Sequence, residues 1–139
     1  MTRHFSIDAE HAQPVIAAVK RRRGRRAYLS GLSAEHAVAS AYDARGADLL
    51  AIRWRGQGGE IDLVLLQDGV YVFCEVKKAR CFDEAALRLR PTQIGRIRAA
   101  AAEYLGLTPK GQLSEVRFDL ALANDRGEIE IREGGFSHF

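Results

Sequence analysis

Two apolar runs decide the reading of this chain: Glu60-Ile61-Asp62-Leu63-Val64-Leu65-Leu66 and Val70-Tyr71-Val72-Phe73-Cys74-Glu75-Val76-Lys77, joined by Gln67-Asp68-Gly69. Both are rich in β-formers, and Asp-Gly between such runs is a strong hairpin signal. A two-residue Asp68-Gly69 loop sets Gln67 against Val70. Counting outward then places Asp62 opposite Glu75 and Glu60 opposite Lys77. Alternation puts Glu75 and Lys77 on one face of the second strand, with Val72, Cys74 and Val76 on the other. Directly opposed like charges destabilise a sheet. The Asp62–Glu75 pair therefore calls for a divalent cation, a shared proton or escape into water.

Around the hairpin, the pattern predicts a helix over 32–45, with Ala34, Ala37, Val38 and Ala41 at helical spacing. Ser30 or Ser33 could cap it, and Gly46 ends it. Glu35 shares its side with Val38, Ala39 and Tyr42, so it borders the packing face. A first strand is expected from Asp48 to Trp54. Trp54 reads as a core anchor, although Arg53 and Arg55 beside it could contact a nucleic-acid backbone. Gly56, Gly58 and Gly59 read as a flexible turn. A short helix near Asp83-Glu84 and a long one from Pro91, with Ile94, Ile97, Ala101, Tyr104 and Leu105 as its stripe, precede strands at 115–123 and 128–132. The remainder reads as a loose tail. Helix, three strands, helix and two strands imply an α/β domain with an open mixed sheet of about five strands.

The 139 residues, 47% hydrophobic and 28% charged, suit one globular domain. We divide the chain into an arm, 1–23, and a domain, 24–139. The arm ends in Lys20-Arg21-Arg22-Arg23, with Arg25 and Arg26 beyond Gly24. This cluster reads either as a phosphate-contacting arm or, slightly preferred, as a solvated linker. Cys74 and Cys81 lack metal-ligand spacing, and no apolar run reaches the roughly 20 residues of a membrane span. A reducing cytoplasm is the expected location.

Asp62 and Glu75 on adjacent strands could give Mg²⁺ or Mn²⁺ two carboxylates, with the Val76 backbone carbonyl as a third ligand. Lys77 would point at the metal-bound water or a phosphate, and Glu35 would enter from the helix, binding metal through water or a second ion. Hydrolysis of a nucleic-acid backbone is the natural reaction for such a set. The plain alternative is a cross-strand Glu60–Lys77 ion pair, with Asp62 merely accepting a backbone amide.

The strings Gly31-Leu32-Ser33-Ala34-Glu35, Gly59-Glu60-Ile61-Asp62-Leu63, Phe73-Cys74-Glu75-Val76-Lys77, Ala102-Glu103-Tyr104-Leu105 and Arg117-Phe118-Asp119, in this order and spacing, resemble the YraN-like family of small bacterial proteins. That family looks like a branch of the PD-(D/E)xK nuclease superfamily, whose fold also serves Holliday-junction resolvases and restriction enzymes. The resemblance covers about 24–133. It implies a restriction-endonuclease-like fold, Asp62 and Glu75 as metal ligands, Lys77 as catalytic lysine and Glu35 as the helix acid. Where relatives tend to carry a lysine early in the second long helix, this chain has Gln93. Resolvase-like relatives often have a glutamine there, able to contact water or phosphate. The expected activity is cleavage of DNA, branched or damaged DNA included, by a chain that could work as a homodimer. The competing expectations are a nucleic-acid-binding module with an inactive nuclease fold and a protein-binding adaptor.

Overall fold

The computed structural model describes residues 26–138. The arm with Arg21, Arg22 and Arg23, and Arg25 beyond it, lie outside the described residues, and residues 26–33 are described by their backbone alone. In chain order the elements are α1 (Arg26–Ala44), β1 (Asp48–Arg55), β2 (Glu60–Gln67), β3 (Val70–Lys78), α2 (Phe82–Ala86), α3 (Pro91–Leu105), a 3₁₀ turn (Gly111–Leu113), β4 (Val116–Ala123) and β5 (Ile129–Arg132). The five strands form one sheet in sequence order. All neighbours are antiparallel except β3 and β4, which run parallel. A parallel neighbour requires a crossover, and α2 and α3 supply it. This is the open mixed α/β sheet of a restriction-endonuclease-like fold.

The hairpin turns as its sequence dictates. Asp68 (φ 51°) and Gly69 (φ 80°) both take the left-handed conformation, the two-residue arrangement whose twist matches the flanking strands. The β2–β3 register runs from Gln67↔Val70 to Leu63↔Cys74, as counted.

Each long helix covers one face. From α1, Val38 and Tyr42 pack on Leu63, Leu65, Val72 and Cys74. From α3, Ile94, Ile97, Ala101 and Tyr104 pack on Val64, Phe73, Phe118 and Leu122. Trp54 stands edge-on to Tyr104 with ring centroids 5.3 Å apart, the anchoring role expected of it. The alanines 34, 37 and 41 are only half-buried, whereas Glu35, Val38 and Tyr42 are buried. The larger side chains gain more by leaving water and so set the helix rotation. Because α1 starts at Arg26, Ser30 and Ser33 lie within the helix and not at its start.

Two other expectations change. The tail after β5 is packed, with Phe136 fully buried. Arg98 donates to the carbonyls of Phe136 (3.1 Å) and Ser137 (2.8 Å) and lies over the Phe118 ring. The glycine turn is likewise clamped, because Glu103 accepts the amides of Gln57 (2.7 Å) and Gly58 (2.9 Å). A Cβ on Gly59 would lie 3.0 Å from both Cβ and O of Arg96, so only glycine permits this approach.

A buried knot closes the α1 side. Asp119, fully buried, accepts from Tyr42 Oη (2.6 Å), from Arg117 Nε (2.8 Å) and Nη2 (2.9 Å), and from the Gly134 amide (2.8 Å). It ties α1, β4 and the tail together.

This packing sets the stability expected of four single variants. Asp119→Ala should cost about 3 kcal/mol in urea unfolding, since it strands buried donors and a guanidinium, whereas Tyr42→Phe should cost about 1 kcal/mol. Gly95 is an exposed glycine inside α3 with open space where a Cβ would stand. Gly95→Ala should therefore raise stability by about 0.5–1 kcal/mol. Gly59→Ala should lower the melting temperature.

Candidate metal centre and cleft

The site forms where the pleat is interrupted. In regular strands, residues two apart share a face. Yet Ile52 and its partner Leu63 pack with α1, while Trp54 and its partner Ile61 pack with α3. Arg53, at φ 55°, lies between these pairs across from Asp62 and turns both strands over. The β2–β3 ladder ends at the same level. Beyond Leu63↔Cys74, Asp62 and Glu75 are not ladder partners. Asp62 instead reaches across, and its Oδ2 accepts the Val76 amide at 2.8 Å.

The count outward therefore fails at its last steps, and charge supplies the reason. Two carboxylates placed flat against each other repel, whereas a carboxylate facing an amide donor is satisfied. Strand β3 keeps its regular pairing by running along β4 from Tyr71↔Val116 to Lys78↔Ala123. Nor does Lys77 pair with Glu60. Glu60 meets Arg55 at 3.5 Å, while Lys77 Nζ lies 3.2 Å from Glu75 Oε2.

Glu75 is 4% exposed on the α3 side. Its Oε2 also accepts from Gln93 Nε2 at 2.6 Å, so the glutamine touches a carboxylate in the role expected for water or phosphate. Burial raises the Glu75 pKa to about 8, the neighbouring Asp62 charge adds to the rise, and Lys77 opposes it. Burial raises Asp62 as well, against the Val76 amide. Each carboxyl group lies close enough to bear on the ionisation of the other. Without a cation they favour holding a proton between them.

Glu35 is held on the α1 side, where its Oε1 accepts from Arg53 Nε at 2.9 Å. Burial, then the charge of Asp62, raises its pKa to about 7, with Arg53 opposing. The Asp62–Glu75 pair opens on a cleft of about 340 Å³ whose lining includes Arg55, Gly59, Gln93 and Arg96. Lys77 and Glu35 are not part of that lining. Lys77 stands beside Glu75, and Glu35 reaches the centre only through Arg53 and the field of Asp62.

The structure thus brings Asp62, Glu75, Lys77 and Gln93 together, puts Arg55 on the cleft, and pairs Glu35 with Arg53. Sequence reasoning overlooked Arg96 as part of the cleft and Glu103 as the acid that holds its glycine wall. Arg96 was within reach of it, since it follows Gln93 by three positions on one helix face. The grip of Glu103 on the glycine turn left no local signal, because donor and acceptor are 46 positions apart.

Among the described residues, no three His, Cys, Asp or Glu side chains gather as a cation cage. A hard divalent ion does not need one, because Mg²⁺ is usually held by one or two carboxylates with water and substrate phosphate. Half-buried Asp62 and buried Glu75, neighbours with their negative charge held back, match that donor set. The Val76 amide faces Asp62, and in a strand the carbonyl of the same residue points the same way, toward that gap.

Comparison with known proteins identifies the family. Residues 34–122 match the model of the uncharacterised protein family UPF0102. A UPF0102 protein of Roseobacter denitrificans is 49% identical over 82% of this chain and 88% of its own length. Another, from Ruegeria pomeroyi, is 47% identical over 84% of this chain and 94% of its own length. One from Cereibacter sphaeroides is 45% identical over 82% and 97%. With most of both chains aligned at nearly half identity, and the family model covering the strands that carry Asp62, Glu75 and Lys77, the chain belongs to UPF0102, the YraN-like family.

Proposed function

We propose that the protein is a Mg²⁺- or Mn²⁺-dependent nuclease that hydrolyses phosphodiester bonds in DNA. One observation carries this reading. A carboxylate pair, half-buried Asp62 and buried Glu75, lies at the floor of a cleft that also bears Arg55 and Arg96, with the Lys77 ammonium beside Glu75. A purely structural acid pair would need neither the lysine nor the open, arginine-lined cleft.

Asp62, Glu75 and the Val76 carbonyl would hold the cation. When bound, the ion supplies Lewis-acid polarisation of the phosphate and lowers the pKa of water. The chain does the rest. The Val76 amide fixes Asp62, and Gln93 with Lys77 fixes Oε2 of Glu75. Arg55 and Arg96 attract the phosphate backbone and set its register without reading sequence. Lys77 donates to a phosphate oxygen or orients the attacking water, and its charge offsets the negative charge gathering on the phosphoryl group.

A second reading, a nucleic-acid-binding module that does not cut, draws support from Glu35. That acid is engaged by Arg53, so the centre has two carboxylates where a third was expected.

Incubating the protein with linear, nicked and four-way-junction DNA under Mg²⁺, Mn²⁺ or EDTA separates the readings. The nuclease reading expects metal-dependent cutting that falls at least about 100-fold in both Asp62→Asn and Lys77→Ala. Binding without cutting under every metal would select the second reading.

The same pair predicts a pH signature. Its carboxyls hold protons more tightly folded than unfolded, so their contribution to stability is present at acid pH and lost as pH rises. For Glu75 the window runs from 4.5 to about 8. The melting advantage of Glu75→Gln over the metal-free wild type should grow across that range. Mg²⁺ should raise the wild-type melting temperature more at pH 8 than at pH 5.5, with no such gain in Glu75→Gln.

A further inference from the structure

Arg53 holds a conformation that an arginine rarely adopts, φ 55°, within a strand. Left-handed backbone at a residue with a Cβ persists only where the surroundings impose it, and it tends to mark functional sites. The Arg53 side chain remains 44% exposed, yet its Nε is held at 2.9 Å by Glu35, whose side chain is 11% exposed. A buried glutamate gripping an exposed arginine fixes the direction of the guanidinium through a charge-assisted hydrogen bond. Glu60 and Asp62 lie close enough to act on the Arg53 charge. Held by Glu35, this guanidinium stands toward α1, whereas Arg55 and Arg96 lie on the cleft. A backbone crossing the Asp62–Glu75 pair would therefore meet positive charge from both sides. The fork of an arginine held at Nε suits a phosphate.

We propose that Arg53 is a backbone-phosphate contact of this site, and that Glu35 is the positioning residue that aims it and is no metal ligand. The assignment rests on the reading that the cleft receives nucleic acid, though it does not require that the nucleic acid be cut. It gives Glu35 a different task from the metal-ligating one its helix position implied.

The experiment uses the full chain with Glu35→Gln, Glu35→Ala, Arg53→Gln and the double variant Glu35→Ala/Arg53→Gln, each first checked for a melting temperature within a few degrees of wild type. Binding to a labelled DNA duplex is measured in EDTA across a salt series, and Mg²⁺ and Mn²⁺ binding without DNA by calorimetry. Glu35→Gln keeps an oxygen for Arg53 Nε and should bind DNA as the wild type does. Glu35→Ala and Arg53→Gln should each weaken binding several-fold, and Arg53→Gln should flatten the log–log salt slope by about one. The double variant should be no weaker than Arg53→Gln alone. Cation affinity should be unchanged in Glu35→Gln. Loss of cation affinity in Glu35→Gln with DNA binding intact would overturn the assignment, as would an Arg53→Gln protein with wild-type affinity and slope. A wild type that binds but cuts nothing would remove the nuclease reading, while the slopes would still judge this one.

Discussion

The Asp62 carboxylate accepts the Val76 amide at the point where β2 and β3 cease to pair, and the arrangement of the site depends on that bond. Strand pairing satisfies backbone groups one by one, so ending it early leaves donors that need partners. A side-chain oxygen in place of a strand carbonyl meets that need and holds Asp62 across the gap from its neighbour strand. Glu75 follows on β3, facing α3, and the two acids meet without lying flat against each other. Burial then makes their joint ionisation costly, which raises the hold of the pair on a proton and is the cost a bound cation would relieve.

The rest of the fold keeps that opening in place from both sides. On the α1 face, Asp119 gathers Tyr42, Arg117 and the Gly134 amide, so the helix carrying Glu35 cannot slide along the sheet without breaking buried hydrogen bonds. On the α3 face, Glu103 and the absence of side chains at Gly58 and Gly59 draw the glycine turn against the helix. That contact makes one wall of the cleft and fixes Arg96 beside it. The C-terminal segment adds a third tie through Arg98. Thus three polar clamps, all long-range in sequence, support a site whose central residues sit on one hairpin.

The hairpin, its register up to Leu63↔Cys74, the Trp54 anchor and the α3 stripe were legible because each follows from local chemistry: Asp-Gly turn geometry, period-two alternation, period-3.6 spacing. Asp62, Glu75 and Lys77 could be nominated from the same local pattern. What escaped was set by tertiary contacts. A left-handed Arg53 is invisible in a residue string, so the face switch and the end of the ladder could not be counted from the turn. The glycines 56, 58 and 59 suggested flexibility because glycine permits it, yet here they serve close approach to α3. The tail carried few apolar residues, and its burial depends on Phe136 finding a place that only the folded sheet provides.

The central claim is that Asp62 and Glu75 form a divalent-cation centre, and crystals soaked in Mn²⁺ test it most directly through the anomalous signal. The account predicts a peak between the Asp62 and Glu75 carboxylates that is lost in Asp62→Asn crystals. Mn²⁺ bound elsewhere, with no peak between those two carboxyl groups, would contradict it.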